Sequence, residues 1–284
     1  VRQPPAVERL EAGAALRNAL FAPYVPVVPS VGRWAPRALP VALAADAEQP
    51  WAAGFVDAVA AHVGRDRTVW RAVFGAGPPV WEFTWFRAGA DLPVAAVASA
   101  LASVGAGGLE VPDHRALSGF AVQLGPSGGA AVPRLRAVHA LAGSAVDAAD
   151  PSLRHRLDGG SAGIVEVLTP WVPAPFGDAL RARMADSFQF DRRARIEQLW
   201  WEPFDDATVA ALGHLSGMDR LYLIGLRLGP CLEVLSRAGV AARPAGLLER
   251  HRGDVEHLRF DLSLGYRFEG GVPRVLEVGL MGVL

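Results

Sequence analysis

One carboxylate in this sequence stands in an unusual setting. Glu82 lies in Pro78-Pro79-Val80-Trp81-Glu82-Phe83-Thr84-Trp85-Phe86, where Trp81, Phe83 and Trp85 alternate with Glu82 and Thr84. A half-buried Glu among such residues loses hydration, so its charged form is disfavoured and its pKa is expected to rise. Such a carboxyl suits proton transfer on a flat apolar substrate. A Glu on an edge strand turned to water is the commoner use of the same pattern, and both readings stand at this point. Arginine supplies the second signal. Arg71, Arg134, Arg136, Arg195, Arg227, Arg259, Arg267 and Arg274 all fall inside or at the ends of expected strands. A mid-strand Arg must find an anion, a carboxylate or water. For any single one, pairing with a surface Glu or Asp is the plainer explanation; several converging on one chamber would make an anion site.

Other chemistries lack their residues. Glycine runs sit in turns without the strand-to-helix context of a phosphate loop. Gly159-Gly160-Ser161 lacks the spacing of a nucleophile elbow. No two histidines stand at metal-ligand spacing on one helix, so no metal site is expected. Asp147 and Asp150 form an Asp-x-x-Asp pair in an Ala-rich link and read as caps or solvated charge. A net charge of −1 gives no electrostatic reason to expect nucleic acid. No apolar run is long enough to span a membrane, and the first residues lack the apolar core of a signal peptide. The single cysteine, Cys231, forms no intrachain disulfide, which fits a reducing cytoplasm. Lysine is absent, so all 28 basic residues are Arg. Any anion must therefore be held by guanidinium forks, histidine or backbone amides.

The elements expected to position these groups come largely in strand pairs. Thr68–Phe74 and Val80–Phe86 make a hairpin, and Gly119–Leu124 pairs with Ala131–Ala140. Further strands are expected at Ile164–Thr169, Arg195–Glu202 and Leu221–Leu228, with a short one at Arg37–Ala44. The last hairpin joins Leu258–Phe268 to Val272–Met281. There Leu258, Phe260, Leu262, Leu264 and Tyr266 alternate with Arg259, Asp261, Ser263 and Arg267. Helices are expected at Pro5–Phe21, Trp51–Val63, Leu92–Val104 (capped by Asp91), Ala174–Ser187, Asp206–Leu215 and Cys231–Ala238. Paired strands without a regular one-to-one rhythm indicate a mostly antiparallel α+β chain. With no linker visible, residues 1–284 are expected to form one domain, and nothing sets an oligomeric state.

The stretch from Gly77 to Trp85 resembles the Pro-x-Glu-(aromatic)-Ser-x-x-(aromatic) strand of indole and aromatic prenyltransferases of the ABBA barrel family. Leu276-Glu277-Val278-Gly279-Leu280-Met281 resembles the last strand of the smaller bacterial members. The resemblance implies a closed antiparallel β-barrel with helices outside and a polar lumen. It also implies a transferase of secondary metabolism, moving an allylic group onto an indole or phenol of a small molecule or peptide. Glu82 would then bind or deprotonate the acceptor. Arg71, Thr84, Arg134, Arg136, Tyr222, Arg227, Arg259, Asp261 and Tyr266 would line the substrate site. No cofactor is implied beyond the allylic diphosphate co-substrate, with Mg²⁺ optional. Two departures matter: family members use Lys as well as Arg on the diphosphate, and several Tyr around the allyl cation. Here Lys is absent and only Tyr24, Tyr222 and Tyr266 exist. They leave a rival reading open: a barrel that binds an aromatic or peptide ligand without prenyl transfer and steers a cyclisation.

Overall fold

The alternating runs become antiparallel strands. A computed structural model of the chain describes residues 7–14, 16, 18–20, 24–26, 28–64, 67–87, 91–106, 109, 117–126, 133–142, 152–158, 161–185, 187 and 196–284. β1 (Val69–Phe74) and β2 (Val80–Phe86) form the expected hairpin, with Arg71 opposite Glu82. β3 (Gly119–Pro126), β4 (Pro133–Ala142), β5 (Ser152–Asp158) and β6 (Ser161–Leu168) follow as a meander. β7 (Val172–Pro173) is a two-residue strand. β8 (Val209–Leu215), β9 (Asp219–Leu226), β10 (Phe260–Glu269) and β11 (Val272–Val283) complete the set. The strand order is β6-β5-β4-β3-β2-β1-β11-β10-β9-β8-β7, and β6 also pairs with β8 from Glu166–Leu215 to Leu168–Gly213.

Period two divides the two faces. Trp70, Trp81, Phe83, Trp85, Phe120, Phe260, Leu262 and Tyr266 are fully buried on the face that meets the helices. α1 (Ala38–Asp46) and α2 (Pro50–His62) cover β2: Phe55 meets Phe83 edge-on with ring centroids 4.7 Å apart, and Trp81 Nε1 donates to Gln49 Oε1 at 2.6 Å. α3 (Val94–Ser103) packs on α2, and α4 (Gly177–Ala185) lies against β8. α5 (Leu228–Ala238), α6 (Ala242–Arg250) and the single turn α7 (Arg252–Val255) lead from β9 to β10. α5 turns Cys231, Val234 and Leu235 into the core and ends at Gly239, whose φ of 72° suits a left-handed C-cap. Among the described residues no helix is long and apolar enough to cross a membrane.

Five expectations fail, each for a local reason. The described residues between Pro5 and Phe21 form no helix. Their backbone groups bond across the chain instead, with Leu10 N on Arg33 O and Ala35 N on Glu8 O, both at 2.8 Å. Arg37–Ala44 is not a strand but most of α1, a short apolar run that periodicity cannot assign; Pro40 is tolerated in its first turn. Asp206–Leu215 is not a helix but contains β8. Its Ala-rich composition favours helix, yet Ala210 and Leu212 join the helix-side core while Ala211 joins the opposite face. Arg195–Glu202 is not a strand: residues 196–198 and 202–206 are 3₁₀ turns with Pro203 in the second, and Arg195 lies outside the described residues. Asp91 does not cap α3, which starts at Val94 after Pro93. Asp147 and Asp150 also lie outside the described residues.

Candidate functional site

On the face away from the helices the strands present charge. Arg71 (β1), Glu82 (β2), Glu166 (β6) and Arg220 (β9) are 3–5% exposed. Arg154 on β5 joins them with its side chain 12% exposed, and Glu277 on β11 lies at the rim. Arg71 Nη2 donates to Glu82 Oε2 at 3.2 Å, and Arg154 Nη2 bonds the same oxygen. Arg154 Nη1 lies 3.6 Å from Glu166, to which Arg220 Nη1 donates at 3.1 Å. Arg220 Nη2 then reaches Glu277 at 2.6 Å. Six groups of alternating sign thus form a chain. Tyr222 crosses it, donating to Glu166 at 2.7 Å and accepting from Arg71 at 3.4 Å and Arg220 at 3.3 Å.

These contacts reveal the shape of that face. Glu82 and Arg154 stand three strands apart in the sheet, as do Arg71 and Tyr222. Neighbouring strands lie about 4.8 Å apart, so a flat sheet would hold either pair roughly 14 Å apart. The sheet therefore curls around the charged cluster. Missing side chains make room for it. A methyl at Gly213 would overlap the Glu166 carboxylate, and one at Gly265 would lie 2.5 Å from Glu277 Cγ.

The electrostatics reverse the expectation for Glu82. Its aromatic sequence neighbours point the other way, into the helix-side core. Burial pushes its pKa up, but Arg154 and Arg71 outweigh that and hold the carboxyl well below its usual range. Glu166 is lowered likewise: burial opposes the change, while Arg220 and Arg154 drive it. Glu82 is thus a fixed anion and a poor proton acceptor. Its hydrogen bonds from Arg71, Gln123 (2.9 Å) and Arg154 all converge on Oε2. Among the described residues Oε1 accepts none.

The other expected residues divide. Arg71, Glu82 and Tyr222 meet in the cluster. Thr84 shares the face of Glu82, is half-buried, and stands opposite Val69 and Ala121. Arg134 and Arg136 are exposed near the start of β4 and do not join. Arg227 follows the end of β9, on the surface, where its Nε donates to Asp206 at 2.6 Å. Arg259, just before β10, is half-buried and donates to Gly225 O at 3.3 Å. Tyr266 is fully buried but on the helix side, as its alternation with Phe260 and Leu262 requires. Asp261 is fully buried apart from the cluster, accepting backbone N–H groups from Leu20 (2.8 Å) and Gly225 (2.9 Å). Burial raises its pKa to about 7 against those two hydrogen bonds. Sequence reasoning overlooked Gln123, Arg154, Glu166 and Arg220, and named Glu277 only within a stretch that resembles a family strand. Arg220 lies one residue before the expected start of its strand, and alternation from Tyr222 would have found it.

Beside the charged cluster the same face turns apolar. Ala211, Tyr222, Ile224 and Met281 pack with half-buried Leu20, Leu168, Trp171 and Val209. Trp171 meets Tyr222 edge-on, with ring centroids 5.8 Å apart. The surface thus joins an anchored carboxylate, three guanidiniums and an aromatic wall. That combination can hold a flat molecule with one N–H or O–H donor. Among the described residues no group of carboxylates, histidines or thiols is arranged to hold a metal ion.

No family model and no curated protein matches this sequence. Among solved structures, the NotF prenyltransferase superposes with a TM-score of 0.53 at 8% identity, over 86% of this chain and 92% of that one. 5-Dimethylallyltryptophan synthase from Streptomyces coelicolor gives 0.48 at 13% identity, over 84% and 93%. The chain therefore resembles ABBA-type aromatic prenyltransferases in fold, an antiparallel sheet with helices on one side.

Proposed function

We propose that the chain is an aromatic prenyltransferase of secondary metabolism, working inside a closed barrel whose seam is the β6–β8 pairing. The observation that carries this reading is Glu82: a buried carboxylate held well below its usual pKa range, with Oε2 pinned by three donors and, among the described residues, Oε1 without one. An indole N–H or phenol O–H of a small molecule or peptide would donate to Oε1, fixing the ring. Arg71, Arg154 and Arg220 would bind the allylic diphosphate. Its C–O bond would break with the electron pair leaving on diphosphate, a ring carbon would attack the allyl cation, and the displaced ring proton would pass to the departing diphosphate. Tyr222 and Trp171 would shield the cation from water. The depressed pKa of Glu82 favours a role as anchor over one as base.

A second reading has its own support. The three guanidiniums of the cluster already face three carboxylates, so their formal charges cancel. A diphosphate would have to displace glutamates that hold their partners at hydrogen-bond distance. A barrel that binds an aromatic or peptide ligand without prenyl transfer needs no such displacement. Calorimetry with dimethylallyl diphosphate, paired with mass spectrometry after incubation with indole and phenol acceptors, separates the two. Prenyl transfer predicts diphosphate binding and an acceptor heavier by one isoprene unit. Aromatic binding without either result selects the second reading, and no binding of either kind removes both.

A further inference from the structure

Asp261 is a buried carboxylate that the charged cluster does not use. It sits at the apolar end of the curled face, opposite Met281 in the β10–β11 register. Its Oδ1 accepts from Gly225 N of β9, where the β9–β10 register shifts, and its Oδ2 from Leu20 N. Leu20 packs into the apolar cluster with Trp171, Leu168 and Val209. The segment is held by further ties. Val283 N donates to Asn18 O at 3.0 Å, the Asn18 amide bonds Arg259 O, and the Tyr24 hydroxyl bonds both Asn18 Oδ1 and Arg259 N.

Among the described residues, the groups facing Asp261 leave its charge uncompensated. α5 contributes Cys231, a neutral thiol whose pKa is pushed up by burial and by Asp261 itself. The N-terminal segment contributes Tyr24, also pushed up, first by burial. β9 offers only the Gly225 N–H, and β11 the side chain of Met281. Arg259 lies two residues away and spends its guanidinium on Gly225 O. A carboxylate buried with two backbone donors and no cation is costly when ionised, and regaining water relieves that cost. Letting go of Leu20 is the direct route to water, because the Gly225 tie lies within the sheet.

We propose that residues 18–20 form a pH-responsive latch over the apolar end of the curled face, fastened while Asp261 is protonated and loosened when it ionises. The latch would control entry to the Trp171–Tyr222 wall, whatever ligand that wall receives. Protonation linkage fixes the direction. Asp261 titrates near 7 when closed and near 4 when hydrated. The open fraction therefore rises about tenfold between pH 6 and pH 8.

Hydrogen–deuterium exchange of the full chain tests this. After correction for the intrinsic pH dependence of exchange, the Leu20 amide should exchange about tenfold faster at pH 8 than at pH 6. The Leu262 amide, inside the sheet, should not change. In Asp261→Asn, which cannot ionise, the Leu20 rate should be flat. A flat rate in the wild type, an equal rise in the Asn variant, or a parallel rise at Leu262 would each overturn the proposal. Should Asp261→Asn fail to fold, Leu20→Pro removes the donor and keeps the carboxylate. The Val283 amide, bonded to Asn18 O, should then exchange fast at both pH values; protection as in the wild type overturns the latch.

Discussion

Two carboxylates in this protein are almost equally buried and titrate in opposite directions. Glu82 is 4% exposed and held far below the usual range; Asp261 is wholly buried and raised to about 7. Both accept more than one hydrogen bond, so hydrogen bonding alone does not separate them. The difference is charge. Glu82 faces the guanidiniums of Arg71 and Arg154, whereas among the described residues Asp261 meets two peptide N–H groups and neutral side chains. Burial taxes both; only a cation within contact distance reverses the sign. One region is thus locked by its charges and the other left able to respond to pH.

The largest test of this contrast is removal of the shared cation. Arg154→Leu leaves Glu82 and Glu166 buried with less compensation and should cost about 3–5 kcal/mol in urea unfolding. Carbon-detected NMR should show the Glu82 carboxyl titrating at higher pH than in the wild type. If stability is unchanged, the cluster is not a coupled unit.

Asp261→Asn should act oppositely. Because its folded pKa lies above the unfolded value of about 4, this group favours folding most at low pH, and that advantage is lost as pH rises through 7. The wild type should therefore lose about 2–4 kcal/mol between pH 4 and pH 8 at this site, and the Asn variant should not. Glu82 gives the reverse dependence, full above the ordinary carboxylate range and lost only as pH falls through its depressed pKa. Unfolding curves for Asp261→Asn parallel to the wild type across that range would erase the contrast.

Smaller still is the ligand effect of Glu82→Gln. As an anchor, it should weaken acceptor binding about tenfold, near 1.4 kcal/mol, and leave turnover of bound acceptor nearly intact. A drop in turnover on the order of 10²-fold at unchanged affinity would make Glu82 a base instead. The smallest effect belongs to Arg227→Ala. That side chain is 60% exposed in its pair with Asp206, so neither melting temperature nor ligand binding should change measurably.

The sequence was legible where local periodicity sufficed. The Val80–Phe86 alternation alone put Glu82 opposite the Trp81 face, and the C-terminal hairpin formed as its alternation requires. The same rule should have kept Tyr266 off the site list, because it shares parity with Phe260. What escaped depended on partners distant in sequence. Arg154 sits in β5, where no strand was expected, and matters only because the sheet curls until β5 faces β2. No spacing records that Glu82 would meet two guanidiniums 11 and 72 residues away. β8 failed for a related reason: its Ala-rich run favours helix until β9 and β6 supply its hydrogen bonds.

The glycines beneath the charged cluster have a consequence for redesign. Gly213 and Gly265 are moulded around Glu166 and Glu277, so the backbone carries an imprint of side chains that occupy its centre. Shortening those glutamates together with Arg220 would empty the mould without moving a strand. The freed volume would open beside Tyr222 and the aromatic wall, on a scaffold already shaped to leave it vacant. The protein thus holds a latent chamber, and its present occupants are its own ions.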